Sequence, residues 1–421
     1  MPYRDWPPEI KAGAHIMAGF EGAAAPPNLL ERIRAGRAGG VILFSRNIES
    51  AGQALELTHS LQCAAAESLR RAPLLIGIDQ EGGRVSRVSP DFTLFPAARV
   101  IGRIGDPDLA RRCAGAAAAE LRAVGVNWNF APVLDILTNP ACTVIGNRAY
   151  GEEAGAVATM GAAVIAGLQA GGVAAAAKHF PGIGDMAPDP HETLPSSGLS
   201  LDDLRGRELV PFRAAVSSGA AIPGGATIPD GATIPGGATI PGGATIPGGA
   251  ASVMVAHAVF ERIDPERPAS LSPRLIKELL RGELCFGGVV VTDDLEMGAI
   301  EDPAAAAAAG LRAGADIALI CRSEEAQERA HEGISRAIRE EEITAREEEE
   351  SFGRIGLMRD RYAGGPSSYS KSGPSSYSKS GPSSYSEEGH LARLQETRKR
   401  VVGCGAHRAL LDEVMLRAAA L

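Results

Sequence analysis

Val173-Ala174-Ala175-Ala176-Ala177-Lys178-His179-Phe180-Pro181-Gly182-Ile183-Gly184-Asp185-Met186-Ala187-Pro188-Asp189-Pro190-His191 joins an apolar run to a chemically dense loop. The run Val173 to Ala177 reads as a buried β-strand, stopped by Pro181 and Gly182. Lys178 and His179 close the strand at its C-terminal end, where donors converge on a ligand. Asp189 and His191 fall in a Gly- and Pro-rich loop that excludes a helix or a long strand. An Asp two residues from a His suggests a carboxylate that orients and charges an imidazole.

Seven further apolar runs surround this one. They are His15 to Phe20, Gly40 to Phe44, Leu74 to Asp79, Val126 to Ala131, Ser252 to His257, Gly288 to Asp293 and Asp316 to Ile320. Between them lie Ala-, Leu-, Glu- and Arg-rich stretches with helical spacing, such as Asp108 to Val124 and Ala154 to Gln169. Strand alternating with helix implies a parallel sheet, and eight strands predict a single closed (β/α)8 barrel of the TIM type. The alternative is an open doubly wound sheet, but no Gly-rich phosphate fingerprint follows the first strand. The polar residues at the strand exits favour the barrel: Asp79, Lys178, His179, His257 and Asp293 would share one face, the face where such barrels hold their active sites. His257 reads as a structural residue of the barrel mouth.

Composition narrows the function classes. With 421 residues, 45% of them hydrophobic, the chain has ample material for a large core. A formal net charge of −9 argues against a nucleic-acid or anionic-membrane partner. No run of eighteen apolar residues suggests a membrane span, and Met1 to Lys11 lacks the apolar core of an export signal. The six cysteines show no CxxC pair and no metal-type spacing, so they read as reduced thiols of a cytoplasmic protein.

Two stretches do not encode fold. Ile222 to Gly249 repeats Ile-Pro-Gly-Gly-Ala-Thr, and Gly365 to Ser386 repeats Gly-Pro-Ser-Ser-Tyr-Ser-Lys-Ser. The first falls in an αβ connection, which in a barrel lies opposite the chemistry. The expected organisation is a barrel over residues 1–360 with the repeat 222–249 inserted, a linker over 361–389, and a helical segment over 390–421. The acidic run Glu340 to Glu350 reads as the solvated face of a helix that buries Ile343 and Ala345. Glu81 and Arg84 are expected to form an internal ion pair.

Val291-Thr292-Asp293-Asp294-Leu295-Glu296-Met297 ends the seventh strand with two adjacent carboxylates. Side chains alternate along a strand, so one of the two points into the mouth while the other caps the next segment.

The string Lys178 to His191 resembles the signature of the β-N-acetylglucosaminidase branch of glycoside hydrolase family 3, roughly K-H-F/I-P-G-H/L-G-x4-D-S/T-H. Ile183 and Pro190 depart from it. Asp79-Gln80-Glu81-Gly82-Gly83-Arg84 resembles the D-x-E-G-G-R segment of the same family, and the likeness runs from Met17 to Ile320 outside the repeats. The resemblance implies a retaining exo-β-N-acetylglucosaminidase acting on peptidoglycan (muropeptide) fragments in the cytoplasm, without metal or organic cofactor. It implies Asp293 as nucleophile, His191 as acid/base, and Asp189 as the residue that fixes the imidazole. It carries over Asp79, Arg87, Arg148, Lys178 and His179 as sugar-binding residues. Pro190 locks its own φ and pushes Asp189 toward an extended conformation. A glycoside phosphorylase, a β-glucosidase of the family and a sugar-binding protein without turnover are the competing readings. A small carbohydrate is the expected partner, and a monomer the expected state.

Overall fold

The computed structural model describes residues 3–186, 194–216, 249–298, 300–364 and 387–421. Asp189, Pro190 and His191, and both repeats except Gly249, lie outside the described residues. The strands are β1 (Ile16–Ala18), β2 (Gly40–Leu43), β3 (Leu75–Ile78), β4 (Trp128–Asn129), β5 (Ala174–Phe180), β6 (Ser196–Ser197), β7 (Ser252–Val255), β8 (Val259–Phe260), β9 (Asp264–Pro268), β10 (Val289–Asp294) and β11 (Ile317–Ile320). Eight of them close a parallel barrel in the order β1-β11-β10-β7-β5-β4-β3-β2, as the apolar runs predict. The remaining three form a small sheet, β6-β8-β9, beside the exits of β5 and β7.

Period-two alternation sorts each strand between lumen and helical shell. Met17, Ile42, Leu75, Trp128, Ala174, Ala176, Met254, Val289, Val291, Ile317 and Leu319 fill the lumen. Their neighbours, such as Val41, Leu43, Ile76, Ala175, Ala177 and Val290, pack outward against the helices. Full burial of each large side chain contributes roughly 1.5–3 kcal/mol. Gly77 leaves room inside the lumen, since a Cβ there would stand 2.5 Å from Met17 Cε. The lumen rows continue upward in steps of two: Leu75, Gly77, Asp79; Ala174, Ala176, Lys178; Val289, Val291, Asp293. That continuation delivers three ionisable side chains to the mouth.

The helices start where capping side chains supply an acceptor. Ser50 caps Ala51–Glu67 through Gln53 N, and Asp106 caps Pro107–Ala123 through Asp108 N and Leu109 N. Small residues let Pro107–Ala123 and Ala154–Ala170 approach closely, because a Cβ on Gly167 would meet Arg111 O at 2.3 Å. Helix Ala345–Tyr362 closes the lumen from below with Ile355, Met358 and Tyr362.

The acidic run differs from its expected form. Thr344 starts a new helix through a capping box with Glu347, so the run begins at the C-cap of one helix, Glu340, and continues into the next. Ile343 is buried, but Ala345 is exposed, and Glu348 is buried against Tyr3 Oη and Lys11 Nζ. Beyond the second repeat, Glu387–Val401 and Gly405–Ala419 form a helical hairpin. Among the described residues no helix is long and apolar enough to cross a membrane.

Candidate active site

Lys178 ends a lumen row of β5 and is 1% exposed. Its Nζ lies 2.6 Å from Asp79 Oδ1 and 2.6 Å from Glu81 Oε1, both supplied by the segment after β3. Burial opposes its charge, yet the two carboxylates outweigh it and raise the pKa, so Lys178 is an ammonium. Glu81 also receives Arg148 as a fork, Nε to Oε2 and Nη2 to Oε1, each at 2.8 Å. Burial pushes against ionisation of Glu81, but Lys178 and Arg148 win and bring its pKa down to about 2.

The chain of contacts continues through His179. Arg148 Nη2 lies 3.2 Å from His179 Nε2, and His179 Nδ1 lies 2.7 Å from Asp135 Oδ2. A guanidinium only donates, so Nε2 accepts and Nδ1–H donates to Asp135. Asp135 is fully buried, and its Oδ1 accepts Ile183 N–H at 2.8 Å. One hydrogen-bonded series, Asp79–Lys178–Glu81–Arg148–His179–Asp135, therefore spans the exits of β3, β4 and β5. The Lys178–His179 and Phe180–Pro181 peptide bonds are cis.

Across the mouth, β10 presents Asp293 and withdraws Asp294. Asp294 Oδ1 accepts from Glu296 N at 3.1 Å and Cys321 N at 3.2 Å, and burial pushes its pKa up. Asp293 is partly exposed, with Oδ1 accepting Asp294 N–H at 2.8 Å. Burial works against its charge, but the Asp294 N–H and the Lys178 ammonium help bring its pKa below the usual value. His257 Nε2–H donates to Asp294 O at 3.0 Å, while Nδ1 accepts from Ser270 Oγ at 2.6 Å. Burial depresses its pKa, so it is a neutral structural imidazole, as the sequence suggests.

Arg87 hangs from the same segment as Asp79. Its N–H donates to Gln80 Oε1 at 2.8 Å, and its guanidinium stands 5.8 Å from the centre of the Phe44 ring. Its buried Nε has no partner among the described residues. Glu81 does not pair with Arg84. The positive φ angles of Gly82 and Gly83 turn the chain away, and Arg84 Nη2 instead donates to the carbonyls of Thr143, Val144 and Ile145. Arg148 is more committed than a free sugar donor, since Nη1 also donates to Val144 O at 3.2 Å. Asp189 and His191 lie outside the described residues. The root of their loop is fixed nearby by Asn139 Nδ2 donating to Asp185 O at 3.0 Å and by the close fit of Gly184 on Ile136 O.

Asp135 escapes sequence reading by type alone. Its one signal is an acidic residue inside the apolar stretch Phe130 to Leu137, where a charge persists only if it is paired. Among the described residues no group of three or more His, Cys, Asp or Glu side chains is arranged to hold a metal ion.

A closed parallel barrel with a poised carboxylate facing a fixed set of cations and imidazoles at its C-terminal mouth defines a (β/α)8 enzyme acting on a small polar substrate. Residues 23–223 and 237–357 match the model of the glycosyl hydrolase family 3 N-terminal domain, and the gap falls inside the first repeat. A β-hexosaminidase of Alkalilimnicola ehrlichii is 38% identical over 320 residues, covering 74% of this chain and 81% of that one. One from Pseudomonas aeruginosa is 36% identical over 302 residues, 71% and 79% of the two chains. The β-N-acetylglucosaminidase of Paenibacillus sp. str. FPU-7 superposes with a TM-score of 0.75 at 36% identity, covering 93% of this chain and 68% of that chain. NagZ from Neisseria gonorrhoeae, in complex with N-trifluoroacetyl-D-glucosamine, gives 0.68 at 29% identity over 96% and 97%. A longer, fungal multi-domain β-N-acetylglucosaminidase gives 0.80 at 32% identity; its match covers 96% of this chain but 42% of that one. The chain belongs to glycosyl hydrolase family 3. It is a glycoside hydrolase with β-N-acetylhexosaminidase activity.

Proposed function

We propose that this chain is a retaining exo-β-N-acetylglucosaminidase that removes terminal β-linked N-acetylglucosamine from peptidoglycan fragments by double displacement. Asp293 attacks C1 and forms a glycosyl-enzyme. His191, fixed by Asp189, gives its proton to the leaving oxygen and then takes one from the water that releases the sugar. Asp79, Lys178 and Arg87 hold the sugar hydroxyls, while Arg148 acts mainly by holding His179. The observation that carries the reading is the split at the end of β10. Asp294 is bound to backbone, whereas Asp293 faces the mouth with its pKa lowered beside the Lys178 ammonium.

The test is the fate of an aryl β-N-acetylglucosaminide with a good leaving group. His191→Ala should spare its first step, accumulate a glycosyl-enzyme on Asp293 visible by mass spectrometry, and recover turnover with azide. Unchanged turnover without a trapped adduct would move the acid role elsewhere. Formation of a sugar 1-phosphate when phosphate replaces water would identify a phosphorylase instead.

A further inference from the structure

The C-terminal hairpin Glu387–Val401/Gly405–Ala419 lies beyond the residues matched by the family model. It nevertheless meets the segment that carries the sugar-binding residues. Glu120 of helix Pro107–Ala123 is 2% exposed and joins three parts of the molecule. Its Oε1 accepts from the Thr93 hydroxyl at 2.7 Å and from Gly403 N–H at 2.9 Å, and lies 2.7 Å from His407 Nδ1. Its Oε2 accepts Thr93 N–H at 2.8 Å. A buried carboxylate needs this many donors, and two of the four come from the hairpin.

Thr93 belongs to the excursion between β3 and helix Ala98–Ile104 that also bears Asp79, Glu81 and Arg87. The hairpin turn touches this excursion a second time. Gly403 has φ +59°, and a Cβ there would stand 2.4 Å from Asp91 O. Asp91 in turn accepts Ala51 N–H at 2.8 Å, which holds the lobe at the start of the neighbouring helix. From the lobe, bonds lead back to the mouth. Gly83 N–H donates to Phe95 O at 3.0 Å, Glu81 N–H to Val85 O at 2.9 Å, and Arg87 N–H to Gln80 Oε1 at 2.8 Å. Elsewhere the hairpin packs fully buried Val414 and partly buried Leu391, Leu394, Val402 and Leu410 against the helical shell, beside the partly exposed ion pairs Arg112–Glu413 and Arg417–Asp106, which are weak holds in water.

We propose that the hairpin is a positioning element of the sugar site: through Gly403, His407 and Glu120 it fixes the 88–97 lobe, and the lobe fixes Glu81 and Arg87. The proposal rests on the reading that Asp79 and Arg87 hold the sugar. Without its two hairpin donors, Glu120 would draw water inward and loosen Thr93, and the sugar would bind to a less ordered segment.

The full chain tests this with Glu120→Gln, His407→Ala and, as a control on the ion pair that Glu413 of the hairpin makes with helix Pro107–Ala123, Arg112→Ala. The first two should raise KM for an aryl β-N-acetylglucosaminide by about three- to thirtyfold and leave kcat within about twofold. They should also speed amide exchange across 83–97. Arg112→Ala should leave KM unchanged, and His407→Gln, which keeps a donor, should recover most of the loss. Arg87→Ala separates the two ideas. If it raises KM while Glu120→Gln and His407→Ala do not, the positioning role is wrong. If it leaves KM unchanged, the sugar-binding reading is wrong, and unaltered exchange at 83–97 in His407→Ala would then also overturn the hairpin's hold on the lobe.

Discussion

Asp294 is held by two backbone N–H groups, while its neighbour Asp293 stands open to the mouth. Asp293→Ala should abolish turnover and leave the melting temperature nearly unchanged. Asp294→Ala should keep measurable activity but lose about 1–3 kcal/mol of stability, because two amides near buried Leu295 and Cys321 lose their acceptor. Rate and thermal denaturation of the pair would separate the roles, and retained activity in Asp293→Ala would remove the nucleophile assignment. The same site sets a pH dependence. Asp293 is shifted down, so the acidic limb of kcat/KM should lie below the ordinary value of roughly 3.9. Lys178→Met removes a favourable charge and should move that limb upward, whatever it does to the absolute rate. Glu81 has a stability counterpart. Its stabilisation is complete above the unfolded value of roughly 4.3 and is lost as pH falls toward about 2. Glu81→Gln leaves Lys178 and Arg148 short of a shared buried partner and should cost about 3–5 kcal/mol in urea denaturation.

At the scale of elements, the first repeat sits in the connection between helix Leu209–Val216 and β7. Its roots are tied together: Ala250 N–H donates to Ala215 O at 2.9 Å, and Gln169 bridges Gly249 O and Ala251 N. The two ends therefore already meet without the repeat. Removing 222–248 should leave kcat and KM within about twofold, since such connections are commonly short and lengthening them adds little closure cost. A folded deletion variant with a large loss of activity would contradict that placement.

For the molecule as a whole, the ends of the barrel divide the work. At the lower end, fully buried Asp316 accepts Arg281 Nη2 at 2.5 Å, Val290 N at 2.7 Å and Arg354 Nε at 3.0 Å. Its carbonyl accepts His15 Nδ1–H at 2.8 Å. Asp316→Ala should lower global stability by about 3–5 kcal/mol, because two partly buried guanidiniums and the Val290 N–H lose the buried carboxylate that answers them. The fraction that folds should keep its kcat, since the chemistry stands at the opposite end. A selective fall in kcat at unchanged stability would show that the two ends are coupled.

The barrel was legible in the chain because a strand buried on both faces must be apolar throughout, and eight such runs have few ways to close. Asp293, Lys178 and Asp79 were legible for the same reason: each interrupts a lumen row at a strand exit. The partners of these groups were not. Glu81 stands three residues from Arg84 yet pairs with Lys178 and Arg148, because Gly82 and Gly83 reverse the chain between them. Asp135 and His179 meet across 44 residues, and Glu120 and His407 across 287. Local sequence determines which face of an element a side chain takes. Only closure of the barrel and docking of the helices determine which buried charge answers which, since that depends on distance in space and on exclusion of water.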